Sequence, residues 1–600
     1  MLQTARLKRA AERLLPPSVR ARREEQRRQE RARVKEDRRL ARIARRRDAL
    51  LESEPDLRTI TLGDTEHLGR LVQDFSVERT ADRNLDLVLQ ALEHARIDHF
   101  LVPGRSSLRH VLGVHRSQRK ALLEAMRELH GDSALYAIRP GPGGSTAQTS
   151  AYVDGALADD IKNGLIIRFA ELLISAHGDV FGGFEYGCDI EFWRDASKVM
   201  ASEGAPHALD RLRVKIPQKA MEGALLGPRP NRIADVLTED VRRPATLTVG
   251  DRTLPTFEPF AHRHAEDVGF PVDVVYTWVD GADPEHASKR ARYRDEAGEL
   301  ASHAANVSRY TDHEELRYSL RSLQMYAPFV RDVYLVTDAQ VPSWLDTEAP
   351  GITVVDHRDI FADPNVLPGF SSRAIETQLH RIAGLSERYL YLNDDVFFAA
   401  PVGAEYFFHS NGIARVPFSG HQIGVGAPIA EEVAPNWAGK NARALLLKDF
   451  GATITQKIRH APLPQLRQVH RELEERYRQD IERTARSRFR HPQDIAPATT
   501  LHQYYALFTG RGVRGDYRTR YVDIGTDHAH EDLIALAEMG SDAPFDFLCL
   551  NDFDTPPERQ EEVSRMLADF LERRFPFPSR FERVQTGTGR EEPGITEAAA

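Results

Sequence analysis

Polar side chains directly follow an apolar run in the second half of this sequence. Residues 389–392 are apolar or aromatic, and Asn393, Asp394 and Asp395 come next. Successive side chains of a strand point to opposite faces, so the two carboxylates would meet different partners. One of them could bind a hard cation such as Mg²⁺, which takes oxygen ligands and often uses only one or two protein carboxylates. An Asn-Asp pair is also typical of turns, and the pair by itself favours that plainer interpretation.

The same arrangement recurs after three further apolar segments. These are residues 272–277 before Asp280, residues 333–337 before Asp338, and residues 352–356 before His357. Helical periodicity over residues 314–325 and 374–385 separates the strands, which predicts a mostly parallel sheet covered on both faces. Ligands bind outside the carboxyl ends of the strands in such sheets. Four polar strand ends in one domain therefore predict a binding site.

The elements around this site belong to a chain too long for one core. We expect a basic helical arm over residues 1–50, a mixed α/β domain over 55–250, a catalytic α/β domain over 270–580 and a disordered tail over 585–600. Two distant cysteines exclude a disulfide framework and a cysteine-rich zinc site. No apolar run is long enough to predict a transmembrane helix or a signal peptide, so we expect a cytoplasmic protein.

The amino-terminal arm carries 18 Arg and Lys residues against 7 acidic ones over residues 1–48. A solvated charged helix explains this composition, and so does peripheral attachment to anionic lipid on the inner face of a membrane. Nucleic acid is not an expected partner, because the arm lacks aromatic side chains that could stack on bases.

Two stretches between residues 55 and 250 allow more than one interpretation. Residues 165–174 are apolar apart from Arg168 and Glu171, which favours a buried helix. Asp189 and Glu191 are two residues apart and would lie on one face of a strand, as in the metal sites of nucleotidyltransferases. An edge strand with a polar face is the expected arrangement.

Four ordered regions of the sequence resemble the conserved regions of the Stealth family. Their clearest motifs are YTWVDG at 276–281, ELRYSLRSL at 315–323, LVTD at 335–338, YLNDDV at 391–396, HAP at 460–462, RFR at 488–490 and CLND at 549–552. The resemblance implies a glycosyltransferase-like α/β fold. It also implies transfer of a sugar 1-phosphate from a nucleotide-sugar, such as a UDP-hexose or UDP-N-acetylhexosamine, to a glycan hydroxyl in capsule or cell-wall polysaccharide synthesis. The sequence departs from the family at Arg373, where His or Pro is frequent, and this difference bears on the acceptor more than on the chemistry.

That reaction assigns roles to particular residues. Asp394 and Asp395 are the expected ligands of Mg²⁺ or Mn²⁺, and Asp395 also counts among the catalytic residues. Arg490, with Arg317 as a second candidate, would bind phosphate oxygens through its planar fork. His460 would accept the proton of the acceptor hydroxyl, and Glu376 could replace or orient it. The remaining candidates for binding the donor are Trp278, Asp280, Asp338 and Asn551.

Plainer interpretations exist for several of these side chains. Trp278 could belong to the core rather than stack on a nucleobase. Glu376 could form an i,i+4 pair with His380, Arg317 could pair with Glu314 at the surface, and His460 could pack a loop. A metal-dependent glycosyltransferase would use the same donor and release a nucleoside diphosphate. A non-enzymatic membrane scaffold would tolerate the loss of Asp394.

Overall fold

The computed structural model describes residues 16–106, 108–202, 210, 212–213, 215–297, 307–429, 431–540 and 543–583. Residues up to 72 together with 80–262 form one compact unit, and residues 73–79 together with those from 263 onwards form a second. The division at residue 262 falls between the two predicted domains. The expected tail over 585–600 lies outside the described residues. In the described part of the chain, no helix has the length and apolarity that crossing a membrane requires.

The helices of the first part of the chain are α1 Pro17–Ser53, α2 Val77–His94, α3 Arg119–His130, α4 Asp159–Lys162, α5 Ala196–Met200 and α6 Glu258–Ala261. Its strands are β1 Leu57–Leu62, β2 Thr65–Leu71, β3 His99–Leu101, β4 Val111–His115, β5 Tyr136–Pro140, β6 Thr146–Ala151, β7 Ile166–Ala170, β8 Leu173–Ile174, β9 Val180–Gly182, β10 Cys188–Asp195, β11 Leu225–Leu226, β12 Val236–Leu237, β13 Pro244–Val249 and β14 Arg252–Phe257. The largest sheet of this unit contains β3 to β7 and β10 to β12. Helix α1 covers most of the predicted arm, and its carboxyl-terminal end is fixed by buried Leu50 and by the ion pair of Arg47 with Asp154.

The prediction of a buried helix over residues 165–174 is wrong. The segment forms β7 and β8, and β7 pairs with β5 and β10. A short apolar run fits a buried strand as well as a helix, and the β-branched Ile166 and Ile167 favour the strand.

The prediction of an edge strand at Asp189 is also wrong. Strand β10 lies inside the sheet, parallel to β4 and antiparallel to β7. Asp189 is fully buried and pairs with Arg168 at 2.7 Å and with Arg229 at 2.8 Å. Arg229 also pairs with Glu191 at 2.7 Å, so arginines from elsewhere in the fold compensate both carboxylates. A sequence pattern could not identify those partners, which are 21 to 40 positions away.

The helices of the second unit are α7 Pro284–Ala297, α8 Glu315–Tyr326, α9 His357–Ile360, α10 Ser372–Glu376, α11 Ala434–Phe450, α12 Arg467–Arg476, α13 Arg478–Ala485, α14 His502–Phe508, α15 Ala529–Met539 and α16 Gln560–Arg574. Its strands are β15 Val272–Thr277, β16 Val330–Thr337, β17 Ile352–Asp356, β18 Arg388–Asn393, β19 Val396–Phe398, β20 Ala414–Gln422, β21 Gln456–Ile458, β22 Leu463–Leu466, β23 Gly512–Gly515, β24 Thr519–Asp523 and β25 Phe547–Asn551. The chain is therefore a mixed α/β protein.

The central sheet of the second unit has the strand order β17-β16-β15-β18-β22. The first four strands are parallel, and β22 is antiparallel to β18. Strands β15 and β18 are buried almost throughout, which explains their nearly continuous apolar sequences. The helix predicted over 374–385 is shorter than expected, since α10 ends at Glu376 and only a 3₁₀ turn at Leu379–Arg381 follows.

Candidate active site

The register of the central sheet brings the polar strand ends together. Thr277 of β15 pairs with Asn393 of β18, and Thr337 of β16 pairs with Asp356 of β17. The residues that follow these strands consequently share one edge, as expected for parallel strands.

Three cavities adjoin this edge, and Arg309, Asn393 and Arg490 line all of them. We call them the narrow pocket, of about 140 Å³, the wide cavity, of about 700 Å³, and the acidic pocket, of about 130 Å³. The shared residues form a junction from which a ligand could extend into more than one cavity.

The narrow pocket combines aromatic rings with unpaired polar atoms. Trp278, Tyr310 and Phe370 line it, and so do Asp338 and His357. Both ring nitrogens of His357 are buried and lack a hydrogen-bond partner among the described residues. Burial lowers the pKa of His357 to about 4, although Asp338 acts in the opposite direction, so the ring is neutral near pH 7. This pocket could hold a flat, partly polar group such as a nucleobase.

The acidic pocket is lined by four carboxylates and two amides, namely Glu315, Asp394, Asp395, Asp552, Asn393 and Asn551. Burial, and after it the charges of Asp395 and Asp312, raise the pKa of Asp394 well above its ordinary value. Burial, with Asp394 and Asp312, does the same for Glu315. Burial is the main cause of both shifts and repulsion between the carboxylates adds to it, so a bound cation would favour the ionised forms. Carboxylate and amide oxygens are the ligands that a hard divalent cation prefers.

Asp395 links this pocket to His460. Its Oδ2 accepts a hydrogen bond from Asn551 at 2.8 Å, and the Cys549 thiol lies 3.6 Å from the same oxygen. Its Oδ1 is buried without a hydrogen-bond partner in the described part of the chain and lies 3.4 Å from Nε2 of His460. Asn393 Nδ2 is 3.2 Å from the same nitrogen. The arrangement orients the imidazole towards the junction.

The same three side chains, Asp395, His460 and Cys549, could also hold a metal ion, because their ligand atoms lie within 4.8 Å of one another. Burial raises the pKa of the Cys549 thiol well above its ordinary value, and Asp395 adds to that shift. A protonated thiol is a poor ligand, so the oxygen-rich acidic pocket suits a hard cation better.

The wide cavity contains the other two predicted catalytic side chains. Glu376 is buried and accepts a hydrogen bond from the Ala498 amide at 3.1 Å. Burial raises its pKa to about 7, against the opposing effects of that amide and of Arg373. Arg490 Nη2 donates to Ser372 at 3.2 Å, and no carboxylate among the described residues lies within salt-bridge distance of it.

The structure does not bring every predicted residue to this edge. Arg317 donates to Glu582 at 2.6 Å and also pairs with Glu314, and it lines none of the three cavities. Its expected role at the donor is therefore corrected to that of an ion-pairing residue. Asp280 also lies outside the cavity walls, where its carboxylate accepts from the Ala282 amide and caps the turn after β15. Asp338, Trp278 and Asn551 do line the cavities.

Sequence reasoning missed Arg309, Asp312 and Glu315. Burial raises the pKa of Asp312 to about 6, and neighbouring carboxylates add to it. Glu315 is the first residue of the helical motif at 315–323, and its position in that sequence is also typical of an exposed acidic residue. The group of acids at residues 312, 314 and 315 is a signal that the sequence offers and that our predictions did not use.

Models of all four Stealth conserved regions match the chain. Conserved region 1 covers residues 270–298, region 2 covers 309–416, region 3 covers 459–507 and region 4 covers 541–593. The matched regions include the carboxyl ends of strands β15 to β18, and they also include His460.

Two curated relatives are similar to this chain over most of their own length. Exopolysaccharide phosphotransferase SCO6023 of Streptomyces coelicolor is 40% identical over 84% of this chain and 83% of that protein. Exopolysaccharide phosphotransferase CpsY of Mycobacterium leprae is 31% identical over 88% of this chain and 91% of the relative. Mouse xyloside xylosyltransferase 1, a solved structure, covers 48% of this chain and 100% of its own, but at a TM-score of 0.26 and 9% identity the likeness carries no weight. The four matched regions and the extended identity show that this chain is a transferase and belongs to the Stealth family of bacterial proteins.

Proposed function

We propose that the protein transfers a sugar 1-phosphate from a nucleotide-sugar to a hydroxyl of a glycan and releases a nucleoside monophosphate. The observation that carries this proposal is the junction at Asn393. Two arginines without a carboxylate partner among the described residues, several carboxylates and a histidine–aspartate pair converge there. Relatives named exopolysaccharide phosphotransferases support the reaction class. The narrow pocket would take the nucleoside, and the wide cavity would take the acceptor.

The donor diphosphate is an anion and requires positive charge around it. Arg490 and Arg309 line all three cavities, and neither pairs with a carboxylate among the described residues. Guanidinium groups suit this role because they donate two parallel hydrogen bonds to phosphate oxygens. A divalent cation, Mg²⁺ or Mn²⁺, held by Asp394 and Glu315 would neutralise further charge on the diphosphate.

The acceptor hydroxyl must lose a proton as its oxygen bonds to phosphorus. His460 lines the wide cavity and would accept that proton at Nδ1, because its other ring nitrogen, Nε2, faces Asp395, which orients the ring and stabilises its protonated form. The acceptor oxygen attacks the phosphorus nearest the sugar. The bond from that phosphorus to the bridging oxygen breaks, and the nucleoside monophosphate leaves. Glu376, whose pKa of about 7 also suits a base, is the alternative proton acceptor.

The released nucleotide tests the proposal directly. Purified protein is incubated with a panel of nucleotide-sugars and an acceptor glycan, and the products are separated by anion-exchange chromatography. Release of a nucleoside monophosphate with a new phosphodiester is expected. Release of a nucleoside diphosphate would instead identify a glycosyltransferase that breaks the bond on the sugar side of the donor.

A further inference from the structure

The walls of the wide cavity carry far more positive than negative charge. Its cationic side chains are Arg309, Arg373, Lys457, Arg459 and Arg490, with His421 and His460 beside them. Glu376 is the only carboxylate among the lining residues that the structure describes. Arg309 and Arg490 are shared with the donor pockets, so the donor diphosphate accounts for them. The other three cations line the wide cavity and neither of the two other cavities; they are Arg373, Lys457 and Arg459.

Arg373 is the most unusual of these three. It lies on α10, only 5% of its surface is exposed, and its Nη1 has no hydrogen-bond partner in the described part of the chain. Neither Glu376 nor Asp494 is within salt-bridge distance of it, and Asp494 is engaged by Ser487 at 2.6 Å. Burial lowers the pKa of Arg373 to about 10, while Asp494 and Glu376 act to raise it, so the group stays charged near pH 7.

The other two cations also lack an acidic partner. Arg459 donates to the Phe418 carbonyl and to Thr519, each at 2.9 Å, and Lys457 is half-buried. No carboxylate of the described residues lies within salt-bridge distance of either. A buried charge without a counter-ion is destabilising, and a ligand that supplies the missing negative charge removes that penalty.

We infer that the wide cavity selects an acceptor glycan that carries an anionic group, either a phosphodiester or a carboxylate, and that Arg373 binds that group with help from Lys457. The inference rests on the proposed function, which assigns this cavity to the acceptor. A planar guanidinium matches both anions, because each offers two oxygens to its fork. The neutral hydroxyls of an uncharged glycan could accept hydrogen bonds from Arg373 but would leave its charge without a counter-ion.

The test compares three acceptor oligosaccharides of equal length that are neutral, uronate-containing or phosphodiester-linked. The discrimination ratio is kcat/KM for an anionic acceptor divided by kcat/KM for the neutral one. The wild type is expected to favour one anionic acceptor by roughly tenfold or more. Arg373→Gln should lower the ratio roughly tenfold, and Arg373→Lys should restore only part of it. The uronate and phosphodiester acceptors distinguish the two sources of charge.

Because Arg373 is buried, Lys457→Gln provides a second variant that the fold should accept, and it should lower the ratio roughly threefold. Lys448→Gln, an exposed residue of α11 outside the cavity, is the matched control and should leave the ratio unchanged. A wild-type ratio near one would overturn the inference. A rise in donor KM that is equal for all acceptors would also overturn it, because Arg373 would then serve the diphosphate.

Calorimetry separates this inference from the proposed reaction. The phosphodiester and uronate oligosaccharides should bind more tightly than the neutral one even in the absence of donor. If anionic oligosaccharides bind but no nucleoside monophosphate is ever released, the proposed function fails while the anion preference stands. If the nucleotide is released and all three glycans bind equally, only the inference fails.

Discussion

At the scale of single residues, the proposed base His460 differs from its neighbours in having both an orienting carboxylate and access to a large cavity. His460→Ala is expected to lower kcat by roughly 10² to 10⁴ while donor KM stays nearly constant, because the proton moves only in the transition state. Steady-state kinetics with varied donor concentration measures both constants.

The competing base is Glu376, whose buried carboxyl has a pKa of about 7. If Glu376 is the base, kcat should fall below about pH 7 as its carboxyl is protonated, and Glu376→Gln should lose most of the rate. If His460 is the base, Glu376→Gln, which preserves the shape of the side chain, should keep a rate near that of the wild type. A His460→Ala variant that keeps its rate would transfer the role to Glu376.

Arg490 supports a second prediction at this scale. Arg490→Ala should raise donor KM by roughly tenfold or more and also lower kcat, since the diphosphate gains charge contacts in both states. Arg490→Lys should recover little, because a point charge cannot reproduce two parallel hydrogen bonds. Arg486→Ala is the matched control: it lies four positions earlier, is 61% exposed and pairs with Asp363. Equal donor KM values in all three variants would refute the assignment.

At the scale of elements, β10 illustrates how a strand tolerates buried acids. Burial would raise the pKa of Asp189, but ion pairs with Arg168 and Arg229 outweigh that effect and hold the pKa below its ordinary value. Asp189→Ala should lower the free energy of unfolding by about 3–5 kcal/mol, because it leaves a buried arginine without its partner. Urea titration measures the change.

The pH dependence of this effect follows from the direction of the shift. A depressed pKa contributes stability above the ordinary aspartate value of about 3.9, and the contribution is lost as pH falls through the folded-state value. The difference in the free energy of unfolding between the wild type and Asp189→Ala should therefore become smaller at strongly acid pH. Asp132→Ala, which removes an exposed partner of Arg46, should change stability by no more than about 0.5 kcal/mol.

Helix α1 is the second element with a testable role. Residues 25–42 of this helix are exposed, whereas Arg46 and Arg47 pair with Asp132 and Asp154. Peripheral attachment to anionic lipid stays a prediction. Removing residues 1–44 should weaken co-sedimentation with anionic vesicles, most strongly at low salt, and leave the rate on a dissolved acceptor intact. Unchanged sedimentation would leave α1 as a solvated helix.

At the scale of the whole molecule, the acidic pocket draws carboxylates from separate parts of the second unit. Glu315 comes from α8, Asp394 follows β18, and Asp552 follows β25. If a divalent cation holds them together, EDTA should abolish turnover, and Mg²⁺ or Mn²⁺ should restore it. The cation should also raise Tm, because it binds only the folded arrangement. Full activity in chelator, with no shift in Tm, would exclude the cation from this site.

Asp394→Asn gives the matched comparison for this prediction. The amide removes one negative charge from the acidic pocket and weakens cation binding. EDTA should therefore change the Tm of the variant less than that of the wild type, and the variant should lose activity. A variant with wild-type turnover would show that Asp394 is not required for the reaction.

The sequence alone predicted the strands over 272–277 and 389–392, because a buried parallel strand is a continuous apolar run that ends in polar residues. The sequence also identified the family, because several motifs occur in the order that is typical of Stealth proteins. It could not place Arg309 or Glu315, whose neighbours are distant along the chain, nor the arginine partners of Asp189. Charge compensation and cavity walls depend on which distant segments meet. Only the tertiary structure decided that Arg317 pairs with Glu582, whereas Nη1 of Arg373 is buried without a hydrogen-bond partner among the residues that the structure describes.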